Sequence, residues 1–213
     1  MPRAVSPFLP SPRVRLTRAG RAEAASAKAP RPPSPDDLIL VDRRNRRVGR
    51  ADKATVHAQG LRHRAFSIFL VDASGRLLLQ QRNRQKYHSG GLWANSCCGH
   101  PSPGERTLTA ARRRLHEELG VRVPLRFGFL THYRTHFPNG LQENEVVHVY
   151  FGRVPDRLQP DPAEVMDLAM HSLPDLTRSA VAHPKRYAYW LRHYLTHHHP
   201  ALAAGVKRAQ RLS

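Results

Sequence analysis

The sequence predicts a single α/β sandwich, on three observations. Strand-patterned runs stand before and after one strongly periodic helix, two of those runs flank a Gly-containing turn, and 213 residues suffice for one dominant core. Residues 1–35 are rich in Pro, Ala, Ser and Arg, with Glu23 the sole acid, and bury too little to offset their ordering entropy; a disordered tail is expected there. After Asp36 and Asp37 the chain changes character: LILVD is a short apolar run, and the charged RRNRRVGR reads as a turn into a second segment. AFSIFLVD and RLLLQQR flank Asp72-Ala-Ser-Gly75, which makes a hairpin. In ERTLTAARRRLHEELG the period switches to 3.6, with Leu108, Ala111 and Leu115 on one face and Gly120 as the stop. VRVPLRFGFL and ENEVVHVYFGRV return to strand patterning, and PKRYAYWLRHYLTHHH reads as a final helix. There is no internal repeat. The folded domain is expected over 36–205, with 206–213 a basic C-terminal tail.

Charge narrows the partners. Against 16 acids stand 35 cations, 30 of them Arg, giving a net charge of +19. Such a balance suits nucleic acid, because clustered cations release counterions from a phosphate backbone. The arginines, however, run from Arg3 to Arg211 without forming a stripe, so no dedicated nucleic-acid partner is expected. A small phosphorylated substrate would profit from the same field. No apolar run approaches the roughly 20 residues that span a bilayer, which excludes a membrane-embedded protein. The two cysteines, Cys97 and Cys98, are adjacent; they build no disulfide framework and argue for a reducing compartment, with the cytoplasm expected, or for thiol chemistry at one place.

One motif carries the chemistry. From Gly99-His-Pro-Ser-Pro-Gly-Glu105 the chain continues through Arg113-Arg114-Leu115-His116-Glu117-Glu118-Leu119-Gly120-Val121. Glycines allow tight turns, and the helix sets carboxylates one turn or less apart, a pattern that suits a divalent ion. Glu118 follows Leu115 by three residues and Ala111 by seven, so it continues the apolar stripe. Unpaired there, it would be costly to desolvate, and a bound Mg²⁺ would resolve the conflict. The competing reading pairs Glu117 and Glu118 with Arg113 and Arg114 on a solvated face. The spacing resembles the Nudix box, with Arg114 standing where that box carries Glu. The resemblance implies a Nudix-type α/β/α sandwich with a mixed central sheet.

Flanking residues sharpen the resemblance. Asn95-Ser-Cys-Cys98-Gly-His100-Pro before the helix, Glu143-Asn-Glu145-Val after it, and His63-Arg-Ala-Phe-Ser67 at the hairpin are similar to the type I isopentenyl-diphosphate isomerases over about residues 38–200. That family moves a double bond by adding one proton and removing another through a tertiary carbocation. The chemistry requires an acid and a base on opposite faces of a flat hydrocarbon, a dry pocket, an aromatic face for the cation and a polar anchor for the diphosphate. The resemblance implies Cys98 as the catalytic thiol, with Cys97 a bystander, and Glu145 working with Tyr133 as the opposing relay. It places the Trp190 indole over the cationic centre. Lys53, Arg82, Lys86 and Arg114 match the diphosphate-binding positions.

Glu143 and Glu145 alternate along a strand and share a face with Val147; two such carboxylates repel unless a cation lies between them. By resemblance they join His57, His63 and His100 around Mn²⁺, Mg²⁺ or Zn²⁺. The spacing from His57 to His63 is one residue shorter than the family leads one to expect. A second ion, a diphosphate-bound Mg²⁺, is expected at Glu118. His197, His198 and His199 read as a solvated helix end, and Trp93 as a wall of the pocket. The alternative is a Nudix hydrolase of a nucleoside diphosphate derivative, against which Arg114 argues. The expected partner is a small diphosphate, and the expected state a monomer or homodimer.

Overall fold

The structure is a computed structural model that describes residues 32, 34 and 36–212. The tail expected over 1–35 therefore falls almost wholly outside the described residues. All secondary-structure elements belong to the unit that begins at Pro33. Nine strands join in one sheet: β1 (Asp37–Val41), β2 (Arg47–Asp52), β3 (His63–Val71), β4 (Leu77–Arg82), β5 (Trp93–Asn95), β6 (Cys97–Gly99), β7 (Arg126–His136), β8 (Gln142–Arg153) and β9 (Val165–His171). Among the described residues five α-helices accompany them: α1 (Lys53–Gln59), α2 (Thr107–Leu119), α3 (Leu173–Ala182), α4 (Tyr189–His197) and α5 (His199–Ala209).

The hub is β3. It pairs antiparallel with β1, β4 and β6 and parallel with β8, so the sheet is mixed, as expected. Strand alternation then makes the sandwich. Phe66, Ile68 and Leu70 pack on one side with Ala111 and Leu115 of α2, whereas Ala65, Phe69 and Val71 pack on the other with Leu176, Leu191 and Leu202 of α3, α4 and α5. Each fully buried aliphatic side chain contributes about 1.5–3 kcal/mol, and both helical layers are held this way. The helix predicted between Glu105 and Gly120 is present, ending where Gly120 adopts φ 71°. An added Cβ there would lie 2.6 Å from Gln159, so only glycine can close this turn.

Several expectations need correction. VRVPLRFGFL is strand only from Arg126, because Val121 and Leu125 turn inward beneath α2 around Pro124. The proposed final helix is a 3₁₀ turn, Pro184–Arg186, followed by α4, and it is not final. α5 succeeds it and carries Val206 and Ala209 into the core, so the segment expected as a tail over 206–213 is helical through Ala209. His197 is exposed, as a solvated helix end should be, but His198 turns back and places Nε2 2.7 Å from Thr131 Oγ1 at the α4–α5 joint. Trp93 does not line the cavity that holds Cys98 and Glu145, and its carbonyl accepts from the Ala188 N–H. α1, β9 and α3 add elements the pattern reading did not include. Among the described residues no helix is long and apolar enough to cross a membrane.

Candidate active site and metal centre

Strand register assembles the site. The parallel β3–β8 pairing sets His63 opposite Glu145, and the antiparallel β7–β8 pairing sets Tyr133 on the other side of Glu145. Two pairs earlier on β8, on the same face, Glu143 is opposite Thr135. The β3–β6 pairing brings Ser67 opposite Cys98. Three segments far apart in the chain thus deliver their chemistry to one end of the sheet.

α1 supplies His57. Its N-cap is Asp52, whose side chain accepts from the Thr55 N–H at 2.9 Å, and Gly60 closes it in the left-handed region. This tight closure places His57 beside His63 despite the short spacing, with ring centroids 5.1 Å apart. The His57 Nδ1–H donates to the Lys53 carbonyl at 2.7 Å, and that of His63 to the Leu61 carbonyl at 2.9 Å. Both bonds put the proton on Nδ1, the tautomer a metal ligand needs; His57 Nε2 also lies 3.3 Å from the Tyr87 hydroxyl, whereas His63 Nε2 has no partner. Nε2 of His57 lies 3.3 Å and that of His63 3.5 Å from Glu143 Oε2. His100 Nε2 sits 2.8 Å from Glu145 Oε1.

His57, His63, His100 and Glu143 each offer an atom within 4.8 Å of the others, the spacing of a metal-ligand set. Within it, His63 Nε2 and Glu143 Oε2 are buried without a hydrogen-bond partner. Electrostatics agree: burial opposes charge on His63, yet Glu143 and Glu145 lift its pKa to about 10. Burial presses His100 down to about 4. Two carboxylates beside three imidazoles give the centre negative charge and nitrogen and oxygen donors, a set that suits a divalent ion. Glu145 has two faces. Oε1 turns to His63 and His100, while Oε2 accepts from the Tyr133 hydroxyl.

A cavity of about 390 Å³ opens beside these groups, within the range of roughly 300–1,000 Å³ common to small-molecule sites. Cys98, Tyr133, Trp190, Glu143, Glu145 and His100 line it, as do Lys53, Arg82, Lys86, Arg114 and Glu118. His57 and His63 are not among the cavity-lining residues. All thirteen residues singled out from sequence are therefore assembled around one locality. Burial pushes the Cys98 thiol up to about 12, so it carries its proton. The thiol donates to Asn95 Oδ1 at 3.1 Å, and the Trp190 indole N–H donates to the same oxygen at 3.1 Å. Asn95 Nδ2 in turn donates to the Ile68 and Cys97 carbonyls, which fixes the orientation of the amide. Cys97 points the other way, into the core under α2.

The cationic end differs from expectation at Glu118. The carboxylate is buried, but Gln80 donates to one oxygen at 3.0 Å and Arg114 to the other at 2.7 Å, so its desolvation is answered without an ion. Glu117 pairs with Arg113 and Arg114 on the exposed face. Glu164, which the sequence reading passed over, accepts from Lys86 and from Arg114 at 3.1 Å and balances two of the expected diphosphate-binding cations. Arg82 stacks over Trp190 at 5.2 Å, with its Nε buried and unpartnered. Burial lowers the Lys53 pKa, and its ammonium lies 4.6 Å over the Tyr87 ring.

Behind Tyr133 stands a second histidine group. The His193 ring centroid is 5.4 Å from that of Tyr133, and burial, then His197 and His198, push its pKa to about 4. A depressed imidazole pKa favours the neutral form in the fold. Its contribution is complete above about 6.5 and disappears as pH falls toward 4. A His193→Gln variant should therefore show a shallower loss of melting temperature between pH 6.5 and 4 than the parent. Equal slopes would remove His193 from the acid sensitivity.

Comparison with known proteins adds to this geometry. A family model described as NUDIX domain matches residues 61–194. The isopentenyl-diphosphate Delta-isomerase 2 of Aromatoleum aromaticum is 47% identical over 156 residues, covering 73% of this chain and 82% of its own. The isopentenyl-diphosphate Delta-isomerase of Burkholderia multivorans is 48% identical, covering 72% of this chain and 87% of its own. Among solved structures, that of Deinococcus radiodurans DR0079 superimposes with a TM-score of 0.64 at 20% identity, covering 75% of this chain and 97% of its own, a likeness of fold alone.

Proposed function

The chain belongs to the Nudix family, in its isopentenyl-diphosphate isomerase branch, and from that premise we propose how its own residues move a double bond. It is an isomerase that interconverts isopentenyl diphosphate and dimethylallyl diphosphate, a step of isoprenoid biosynthesis. One observation supports the site assignment above all others: the Cys98 thiol and the Tyr133–Glu145 pair come from different strands and line the same cavity.

The reaction adds a proton to the terminal methylene, passes through a tertiary carbocation and removes a proton from the neighbouring carbon. Cys98 holds the proton to be given. Tyr133 takes the departing proton on its phenolic oxygen while passing its own to Glu145 Oε2, so the phenol stays neutral, Glu145 becomes a carboxylic acid and Cys98 a thiolate, and proton exchange with solvent resets both before the next turnover. In the reverse direction the roles exchange. Trp190 offers the face of its indole to the cation, which water must not reach.

At the polar end Lys53, Arg82, Lys86 and Arg114 bind the diphosphate, with the unpartnered Arg82 Nε a donor in waiting. His57, His63, His100, Glu143 and Glu145 would hold Mn²⁺, Mg²⁺ or Zn²⁺, whose charge, when bound, would offset the repulsion between the two carboxylates. Glu118 would take a diphosphate-bound Mg²⁺ only through lone pairs not used by Gln80 and Arg114, or by displacing the Arg114 contact. The same reading puts the reaction in the cytoplasm.

Solvent isotope tests this directly. In D₂O with Mg²⁺ and isopentenyl diphosphate, the dimethylallyl product should carry deuterium in the newly formed methyl group, read by mass spectrometry and NMR. Product without deuterium would refute the proton-exchange mechanism. Phosphate release from nucleoside diphosphate derivatives with no isomerisation would favour the hydrolase reading instead.

A further inference from the structure

We propose that His88 is a positioning residue of the metal centre, which turns the Glu143 carboxylate so that one oxygen is left for the ion. The inference rests on the metal reading given above. His88 is buried, and its Nε2 lies 3.0 Å from Glu143 Oε1, whereas Glu143 Oε2 faces His57 and His63 and has no hydrogen-bond partner. The two oxygens are thus divided: Oε1 is held by an N–H of His88, which also lines the cavity, and Oε2 is turned toward His57 and His63. With Nε2 donating, Nδ1 is an acceptor, and Ser89 Oγ stands 3.3 Å from it. The ring cannot swing away. Phe137 stacks on it at 4.7 Å with an 11° interplanar angle, and the Tyr87 ring meets its edge at 4.3 Å.

His88 lies outside the group whose ligand atoms fall within 4.8 Å of one another, so it acts on the ion through Glu143. Outer partners of this kind typically govern metal affinity by roughly 10–100-fold, because they fix the orientation and basicity of the ligand they touch.

The test is Mn²⁺ binding to metal-free full-length protein, followed by the electron paramagnetic resonance signal of free Mn²⁺. The parent should bind Mn²⁺ stoichiometrically; if it binds none, the metal centre itself fails and His88 with it. His88→Phe keeps a ring to stack on Phe137 but loses the N–H, and should bind Mn²⁺ roughly 10–100-fold more weakly. His88→Gln places an amide N–H near the lost Nε2 and should recover most of the affinity. His88→Asn, too short to reach Oε1, should stay weak and serves if the Phe variant does not fold. Parent-like affinity in the Phe or Asn variant, with the parent binding normally, would overturn the proposal. So would Gln behaving like Asn. At saturation the Co²⁺ absorption spectrum should be the same in parent and Gln variant; an altered ligand field would make His88 a ligand and likewise overturn the positioning role.

Discussion

Cys98→Ala should reduce kcat by roughly 10³-fold or more, the upper part of the range for removing a positioned proton donor, while Cys97→Ala retains most of the activity. The two residues are neighbours in sequence with opposite surroundings: Cys97 is fully buried under α2, and Cys98 lines the cavity with its S–H on Asn95. Removing Cys98 takes away the proton without disturbing the diphosphate cations, so KM should change little. Removing Cys97 deletes one small apolar contact and should lower the melting temperature more than the rate. Steady-state kinetics and thermal unfolding on both variants decide the matter. Equal loss of activity in the two would discard the thiol assignment.

Glu145→Gln is the second large effect. This residue serves two masters, with Oε1 near His63 and His100 and Oε2 on the Tyr133 hydroxyl. Gln keeps the shape and one carbonyl oxygen but cannot accept a proton at neutral pH and brings no negative charge to the histidines. Activity should fall by roughly 10³–10⁴-fold. Tyr133→Phe, which leaves the carboxylate and the metal set intact, should cost less. Measured together with metal content, the pair separates the relay from the ion: Glu145→Gln should lose activity even when supplied with saturating Mn²⁺. Recovery of the parent rate by Mn²⁺ alone would reduce Glu145 to a ligand.

How much of this was legible in the sequence depends on how each residue reaches its place. Glu143, Glu145 and Glu118 sit in motifs whose local spacing already fixes a strand or helix face, and each is oriented as that spacing implies, whereas Cys98 is marked only by the resemblance and its strand β6 has no periodic signal. His57 looked doubtful because one residue was missing before His63, yet the left-handed Gly60 turn absorbs the difference. A signal for α1 was present and unused: Asp52 and Gly60 bracket seven residues as cap and stop. Asn95, His88 and Glu164 escaped for another reason. Their roles arise from partners 50 or more residues away, such as Arg114 against Glu164 and Trp190 against Asn95, and no local period encodes such a meeting. The desolvation argument at Glu118 failed because Gln80, on β4, was not foreseen as its partner.

The strand that carries Cys97 and Cys98 points successive side chains to opposite sides of the sheet. Although they are chain neighbours, these sulfurs cannot meet: closing a bridge needs Cβ atoms about 3.5–4.5 Å apart and aimed at each other, which β6 forbids while it stays paired to β3. An oxidant entering the cavity therefore finds one sulfur with no internal resolving partner, and the damage it leaves must be reversed by a thiol arriving from outside.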